Sequence, residues 1–321
     1  MIIQVNNLTK KFDELTAVDQ LNLSIKEGEV FGLLGPNGAG KTTTLHILAT
    51  LLKPTSGTAL VNNFDIIRQP SQVRKSIGIV FQEPSSDDLL TGYENLKLHA
   101  LMYGVPKAVR EKRILEVLGL VDLSGRKDDL VKKYSGGMRR RLELAAGLSH
   151  NPKILFLDEP TLGLDPQSRE HIWTYIEKLV QEEKVTVILT THYMEEADRL
   201  CDRIAIIDYG KIVVLDSPEN LKKVLGGDIV RLKVKDPQLE TLEKLEYVKK
   251  IDQLDDKISI TVVEANRHLQ EILACVGQVE SVEVRSPTLD DVFLHYTGRE
   301  FREAAPEGGF WERAANYKTR R

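Results

Sequence analysis

Five short, almost fully apolar runs recur along the first 225 residues. They are residues 30–34, 77–81, 154–157, 185–189 and 204–207. Runs of this length, apolar in successive positions, are typical of central strands that are covered on both faces. Segments with helical spacing lie between them, so the pattern predicts an α/β layered domain. Residues from about 84 to 133 are charged and mostly helical in pattern, which indicates an inserted helical subdomain.

The pattern changes after residue 225, where Gly226 and Gly227 form a natural joint. Apolar and charged residues alternate over 230–235, and leucines then recur at helical spacing over 239–245. Two strand-like runs, a helix and a last strand follow, at 247–254, 257–263, 269–276 and 279–284. The order β-α-β-β-α-β is that of a small ferredoxin-like α+β domain. We therefore predict three parts, which are 1–225, 226–297 and a flexible tail over 298–321.

Composition and charge narrow the class of protein. The 321 residues are 41% hydrophobic and carry 44 basic against 48 acidic side chains, a net charge of −4. This excludes disordered and collagen-like chains, and gives no reason to expect nucleic acid as a partner. Cys201 and Cys275 are expected to be buried thiols in a reducing compartment. Neither a signal peptide nor an apolar stretch of about 18 to 20 residues is recognisable, so we expect a cytoplasmic protein.

A glycine-rich segment follows the first apolar run directly and matches the pattern G-x-x-x-x-G-K-[ST]. Glycines let the backbone turn its N–H groups toward an anion, and the start of the next helix adds a favourable dipole. Within it, Lys41 is expected to reach the outer phosphates of a nucleotide and Thr42 to bind Mg²⁺. The residues of this phosphate loop are Gly35, Pro36, Asn37, Gly38, Ala39, Gly40, Lys41, Thr42 and Thr43.

Polar residues at the ends of three other apolar runs complete the candidate chemistry. The run 154–157 ends in Asp158, a candidate Mg²⁺ ligand, and Glu159, a candidate general base for an attacking water. Gln82 can offer an oxygen to Mg²⁺ or water, and His192 can contact a terminal phosphate and the water. Taken singly, a glutamine such as Gln82 or a histidine such as His192 at a strand end is more often an ordinary surface residue.

A second glycine pair lies in Tyr-Ser-Gly-Gly-Met-Arg-Arg-Arg-Leu, residues 134–142. Ser135, Gly136 and Gly137 precede a helical apolar pattern and would form another anion-binding helix N-terminus. With the phosphate loop, Gln82, Leu-Asp-Glu-Pro at 157–160, Gly-Leu-Asp at 163–165 and His192, this segment resembles the ATP-binding subunit of ABC transporters over about residues 2–220. The resemblance implies a P-loop NTPase fold of the ABC type with ATP and Mg²⁺ as cofactors.

The resemblance also implies a partner. In the family, the Ser-Gly-Gly signature of one subunit closes over the γ-phosphate held by the other, so that two ATP molecules are sandwiched in a head-to-tail dimer. Asp165 would contact the partner subunit, and Phe12 matches the aromatic residue that stacks on adenine. For Phe12, an ordinary strand-face or core position is the alternative.

The C-terminal part of the sequence indicates a subtype of ABC ATP-binding subunit. Thr-Leu-Asp-Asp-Val-Phe-Leu-His-Tyr-Thr-Gly, residues 288–298, resembles the segment closing the daunorubicin-resistance branch of exporter ATPases, which pair with separate ABC-2-type membrane permeases. Such a subunit would lie on the cytoplasmic face of the membrane. Tyr134 and Met138 depart from the commoner Leu and Gln. Arg139–Arg141 could be a solvated helix face or serve conformational coupling, and the role of 226–297 stays open between regulation, dimerisation and packing.

The leading hypothesis is therefore an ATP-hydrolysing subunit of an exporter for a multidrug, antibiotic or lipid-like substrate. A soluble ABC ATPase acting on ribosomes or DNA is the first alternative, but such proteins usually carry two ATPase domains or a long coiled-coil insertion. A module that binds ATP only to assemble is the second, and Glu159 and His192 argue against it.

Overall fold

The computed structural model describes residues 1–235, 242–254 and 257–298, and the chain divides into two units between Leu215 and Asp216. The division lies ten residues before the expected joint at 225/226. The reason is that the helix Pro218–Lys223 packs against the helix Leu289–Thr297 and so belongs to the second unit. The expected tail falls almost entirely outside the described residues, of which only Gly298 belongs to it.

The first unit holds ten strands and seven helices among its described residues. In chain order they are β1 (Ile3–Phe12), β2 (Leu15–Ile25), β3 (Val30–Leu34), α1 (Lys41–Leu48), β4 (Ser56–Val61), β5 (Phe64–Asp65), α2 (Pro70–Ser76), β6 (Ile77–Val80), α3 (Gly92–Met102), α4 (Lys107–Leu120), α5 (Gly136–Leu148), β7 (Ile154–Asp158), α6 (Pro166–Glu183), β8 (Thr186–Thr191), α7 (Met194–Leu200), β9 (Arg203–Asp208) and β10 (Lys211–Asp216). Short 3₁₀ turns lie at Ser124–Arg126 and Val131–Lys133.

The central layer is a six-stranded sheet of order β10-β9-β3-β8-β7-β6. The five apolar runs of the sequence all lie in it, and the pairs β9-β3, β3-β8, β8-β7 and β7-β6 are parallel. Every residue of β3, β7 and β8 is buried, as the unbroken apolar runs predicted. Because these strands run in one direction, their carboxyl ends share one edge, where the polar residues after them collect.

A second sheet, β2-β1-β4-β5, is antiparallel and shares a hydrophobic core with α1 and the central sheet. The sequence analysis did not resolve this sheet. Its strands alternate between buried and exposed residues and contain bulges, so their apolar residues do not form the long runs that mark the central strands.

The predicted helical subdomain is confirmed as α3 and α4, which pack against each other and against α5. Its first helix begins at a capping box, in which the Thr91 hydroxyl accepts the N–H of Glu94 and the Glu94 carboxylate accepts the N–H of Thr91.

The second unit contains α8 (Pro218–Lys223), β11 (Asp228–Lys235), β12 (Val248–Leu254), β13 (Lys257–Val262), α9 (Ala265–Cys275), β14 (Gln278–Arg285) and α10 (Leu289–Thr297). Its sheet has the order β12-β13-β11-β14, with antiparallel neighbours throughout. This is the strand order of the predicted ferredoxin-like domain, with α9 as the second helix. The first predicted helix lies partly outside the described residues, and the part that is described is a 3₁₀ turn, Leu242–Lys244.

Two smaller expectations concern thiols and membrane spans. Cys201 is buried as expected, whereas Cys275 at the end of α9 is only half-buried, and both are free thiols. Among the described residues, none of the helices combines the length and the apolar character needed to cross a bilayer.

Candidate functional site

The phosphate loop connects β3 to α1 and fits tightly against neighbouring backbone. A Cβ on Gly35 would lie 2.2 Å from the carbonyl oxygen of Ile207, and one on Gly40 would lie 2.3 Å from that of Ala17. Gly40 also has φ +103°, a conformation that L side chains rarely adopt. Both positions therefore require glycine, and Gly40 places the N-terminus of α1 at the carboxyl edge of the sheet.

Lys41 begins α1 and is almost completely buried, with 5% of its surface exposed. Its Nζ donates hydrogen bonds to the carbonyl oxygens of Gly35 at 2.7 Å and Pro36 at 3.1 Å. Burial lowers the pKa of Lys41, while the carboxylates of Glu159 and Asp158 act in the opposite direction. The ammonium group thus points back into the loop that surrounds a phosphate in proteins with this motif.

Asp158 and Thr42 come together at the end of β7. The Thr42 hydroxyl donates to Asp158 Oδ1 at 2.9 Å, and the Thr190 hydroxyl of β8 donates to the same oxygen at 2.5 Å. His46 Nε2 lies 3.9 Å from Asp158 Oδ2, and burial lowers the pKa of His46, which favours the neutral ring.

These oxygens fit a magnesium ion. Mg²⁺ is usually held by one or two protein oxygens together with water and substrate phosphates, and a threonine hydroxyl beside a carboxylate supplies such a pair. No group of three or more His, Cys, Asp and Glu side chains with metal-binding geometry exists within the described part of the chain. The Thr42 hydroxyl and the Asp158 carboxylate are a pair of the kind that holds Mg²⁺ together with nucleotide phosphates.

Glu159 is buried beside Lys41 and His192. Its Oε1 lies 3.8 Å from Lys41 Nζ and 3.2 Å from His192 Nδ1. Glu159 also has φ +47°, a left-handed conformation that costs a residue with a side chain about 1 kcal/mol or more. Its N–H donates to the carbonyl and the hydroxyl oxygen of Thr190, both at 3.1 Å, which helps hold the strained backbone.

Two predicted residues lie at the periphery of this cluster. Gln82 follows β6 by two residues and its side chain is exposed. Phe12 ends β1 and is half-buried, with Lys10 Nζ 4.9 Å from the ring centroid. The β1-β2 hairpin that carries Phe12 touches the phosphate loop through Ala17. The proposed contacts of Gln82 with Mg²⁺ and of Phe12 with adenine stay predictions.

The Ser-Gly-Gly segment forms a separate cluster with Asp165. Ser135 caps α5, its hydroxyl accepting the N–H of Met138 at 3.3 Å, and Ser135 and Gly136 are exposed. Asp165 caps α6 in the same way and accepts the Ser168 N–H at 3.0 Å and hydroxyl at 2.6 Å, which lowers its pKa. A Cβ on Gly137 would lie 2.8 Å from Ser168 Oγ, so the two helix starts are neighbours.

Sequence reasoning missed part of the support around Glu159. Arg140 is buried and donates to backbone carbonyls at the end of β7, so the solvated-face interpretation is wrong for this arginine. Glu143 is also buried, and accepts hydrogen bonds from Ser85 and Ser86. The signal that was missed is the helical spacing of the sequence. Residues 140, 143, 144 and 147 share one face of α5, and the apolar Leu144 on that face predicts that it is buried.

Comparisons with known proteins agree with this geometry. A family model described as ABC transporter matches residues 18–162, and one described as ATP-binding protein DrrA1-3-like, C-terminal domain, matches residues 217–297. The chain is 39% identical to the daunorubicin resistance ATP-binding protein DrrA2 of Streptomyces coeruleorubidus, over 94% of this chain and 98% of that one. It is 38% identical to the Nod factor export ATP-binding protein I of Cupriavidus metallidurans, over 94% and 99%.

Among solved structures, a dimeric ATP-binding cassette in a post-hydrolysis state with ADP and Pi covers 67% of this chain and 98% of its own length. Its TM-score is 0.61 at 32% sequence identity. The structural likeness and the two near full-length relatives agree with the resemblance seen in the motifs. The chain therefore belongs to the ABC transporter family, as an ATP-binding subunit that hydrolyses ATP.

Proposed function

We propose that this chain is the motor subunit of an exporter, and that two copies close head to tail over two ATP molecules. The observation that carries the proposal is the presence of two glycine-led helix N-termini in one chain. The start of α1 lies beside the candidate hydrolytic residues Asp158 and Glu159. The start of α5, with Ser135 and Gly136, is exposed and available to the phosphate bound by another subunit.

For hydrolysis, Lys41 exchanges its carbonyl partners for the outer phosphates of ATP. Bound Mg²⁺ would neutralise charge on the phosphates, with Thr42, Asp158 and Gln82 as its protein oxygens. Glu159 orients the attacking water and accepts its proton. His192, whose Nδ1 is 3.2 Å from Glu159 Oε1, lies beside that carboxylate and can contact the terminal phosphate.

The names of the relatives support a proposal for the partner and the exported substrate. One relative bears a daunorubicin resistance name and another a Nod factor export name, which supports a membrane export role for this chain. We propose an ABC-2-type permease as its partner and the cytoplasmic face of the membrane as its site of action. The exported substrate would be a drug, an antibiotic or a lipid-like molecule, and the permease would select it.

Dimerisation can be tested with Glu159→Gln, which keeps the shape of the side chain and removes the base. At saturating Mg-ATP this variant should run as a dimer in light scattering after size exclusion, with little turnover. The matched control is the double variant with Ser135→Arg, which fills the second helix N-terminus and should stay monomeric. A Glu159→Gln variant that stays monomeric at micromolar concentration contradicts the head-to-tail arrangement.

The partner can be identified by purifying the tagged protein from its native membranes in mild detergent, followed by mass spectrometry. A multi-spanning protein at about equal stoichiometry is expected. Recovery of ribosomal proteins or nucleic acid alone would support the soluble ATPase instead.

A further inference from the structure

The helix α5 carries two opposite charges on its buried face. Arg140 is 8% exposed and Glu143 is 4% exposed, one turn further along. Buried charges are costly unless their hydrogen-bonding groups are satisfied. The partners of these two side chains therefore show what the charges do.

The guanidinium of Arg140 reaches four backbone carbonyls. Nε donates to Pro160, Nη1 to Phe81, and Nη2 to Asp158 at 3.0 Å and Glu159 at 3.1 Å. Three of these carbonyls belong to consecutive residues at the end of β7, around the left-handed backbone of Glu159. The fourth belongs to the residue before Gln82.

Arg140 keeps its charge in this site. Burial lowers its pKa to about 10, and the surrounding carboxylates, of which Glu143 acts most strongly, oppose that shift. At neutral pH the group is therefore a full cation with a planar set of donors, a geometry that the single nitrogen of lysine does not reproduce.

Glu143 holds the loop that follows Gln82. Its Oε1 accepts the N–H groups of Ser85 at 3.1 Å and Ser86 at 2.9 Å and also the Ser86 hydroxyl, and its Oε2 accepts the Ser85 hydroxyl at 2.6 Å. Four donors on two adjacent loop residues thus meet one carboxylate. Carboxylates with several such charge-assisted hydrogen bonds are firmly positioned.

We propose that Arg140 and Glu143 are positioning residues for ATP hydrolysis, because they fix the backbone of Glu159 and the loop 81–86 to one helix. That helix begins at Ser135, the N-cap of the second phosphate end. A phosphate bound at the start of α5 would then position Glu159 and the loop 81–86 at the same time, because both are attached to this one rigid helix. This last step rests on the proposed head-to-tail arrangement, whereas the positioning of Glu159 does not.

The first experiment measures steady-state Mg-ATP hydrolysis by the full-length chain with Arg140→Lys, which keeps the charge and removes the fork. We expect kcat to fall on the order of 10- to 100-fold, with KM for ATP changed by less than about threefold, since Lys41 and its loop are untouched. The control is Arg126→Lys, whose exposed side chain pairs with Asp129, and its kcat should equal that of the wild type.

A positioning role and a merely structural role predict different changes in kcat and in the fraction of active protein. Loss of folded protein would lower the active fraction and the stoichiometry of Mg-ADP binding in calorimetry, and positioning would lower kcat at full stoichiometry. An Arg140→Lys variant with wild-type kcat overturns the proposal and leaves the head-to-tail dimer standing. If Arg140→Lys lowers kcat but the Glu159→Gln variant never dimerises, the dimer is refuted and the positioning role is retained.

The second experiment follows the loop itself by hydrogen exchange of the amides of Ser85 and Ser86. Glu143→Gln should speed their exchange on the order of tenfold, because a neutral amide oxygen is a weaker acceptor than a carboxylate. The double variant Ser85→Ala, Ser86→Ala leaves α5 intact and serves if Glu143→Gln does not fold; its kcat should fall several-fold at unchanged KM. Unchanged exchange in Glu143→Gln, or unchanged kcat in the serine variant, contradicts the role of Glu143.

Discussion

The two glycine-led helix starts of the first unit look alike in sequence and differ in their surroundings. At α1, the N-cap residue Gly40 offers no side-chain cap, and Lys41 beside it lies within reach of a buried carboxylate. At α5, the Ser135 hydroxyl caps the helix and the neighbouring Gly136 is exposed.

This difference teaches that a helix end suited to bind phosphate is not by that alone a hydrolytic site. Both ends offer backbone N–H groups and a helix dipole to an anion. The α1 end also lies beside side chains at the ends of β7 and β8 that can hold a metal and a water. In the proposed head-to-tail dimer, the α1 end is therefore the chemically equipped half-site and the α5 end is the exposed half-site.

The largest effect is expected from a substitution in the equipped half-site, at the α1 end. Lys41→Ala removes the ammonium group that the loop aims at the phosphates, and ATP turnover should fall about 100-fold or more, on the order of 3 kcal/mol in transition-state stabilisation. Steady-state hydrolysis checks this, with Lys112→Ala on the exposed face of α4 as the matched control. Turnover above about a tenth of wild type would contradict the assigned role of Lys41.

The next prediction tests whether the two half-sites of one ATP site come from different chains. Ser135→Arg should leave ATP binding intact and abolish turnover, because it fills only the α5 end. Mixing it with Lys41→Ala should restore up to about half of the wild-type activity, because each variant can close only on the other and each mixed dimer holds one intact site of two. Absence of any recovery, at concentrations where the wild type is active, would mean that the two ends do not work in trans.

A smaller effect concerns the metal. Asp158→Asn keeps the hydrogen bond from Thr42 and removes the charge, so the Mg²⁺ concentration for half-maximal turnover should rise about tenfold, roughly 1.4 kcal/mol. A Mg²⁺ titration at fixed ATP measures it, against the exposed Asp128→Asn. An unchanged titration midpoint would argue against Asp158 as a metal ligand.

The last prediction concerns stability rather than turnover and compares the other ends of the same two helices, each of which has a histidine of lowered pKa. His46 lies in the last turn of α1, and His150 lies just after α5, where its Nε2 is 2.8 Å from the Ile77 carbonyl and its ring stacks on Tyr103. Burial lowers the pKa of His150 from its ordinary 6.5 to about 4.

The unfolded state therefore binds one more proton than the folded state between pH 6.5 and pH 4, and stability falls as pH falls through that window. His150 alone should contribute a slope of about 1.4 kcal/mol per pH unit. Chemical unfolding of wild type and His150→Gln across this window measures the difference in slope. Equal slopes would show that His150 is not held neutral.

Much of the site was predictable, because its residues stand at the ends of recognisable runs. Asp158 ends a buried strand, Glu159 and His192 each follow one directly, and parallel strands bring their ends to one edge. The C-terminal strand order was predictable for a similar reason, since alternation marks each half-exposed strand. The antiparallel sheet β2-β1-β4-β5 was not, because bulges interrupt the alternation of its strands.

By itself, the sequence determined which residues are candidates for the chemistry and the order of the elements that hold them, since glycine patterns and apolar periods are local properties of the chain. Only the tertiary structure decided that Arg140 is buried rather than solvated, that Thr190 shares an oxygen of Asp158 with Thr42, and that Glu143 binds Ser85 and Ser86. These contacts join residues that are far apart in sequence. A charged side chain on a helix can be buried only where parts of the chain that are distant in sequence supply its hydrogen-bond partners.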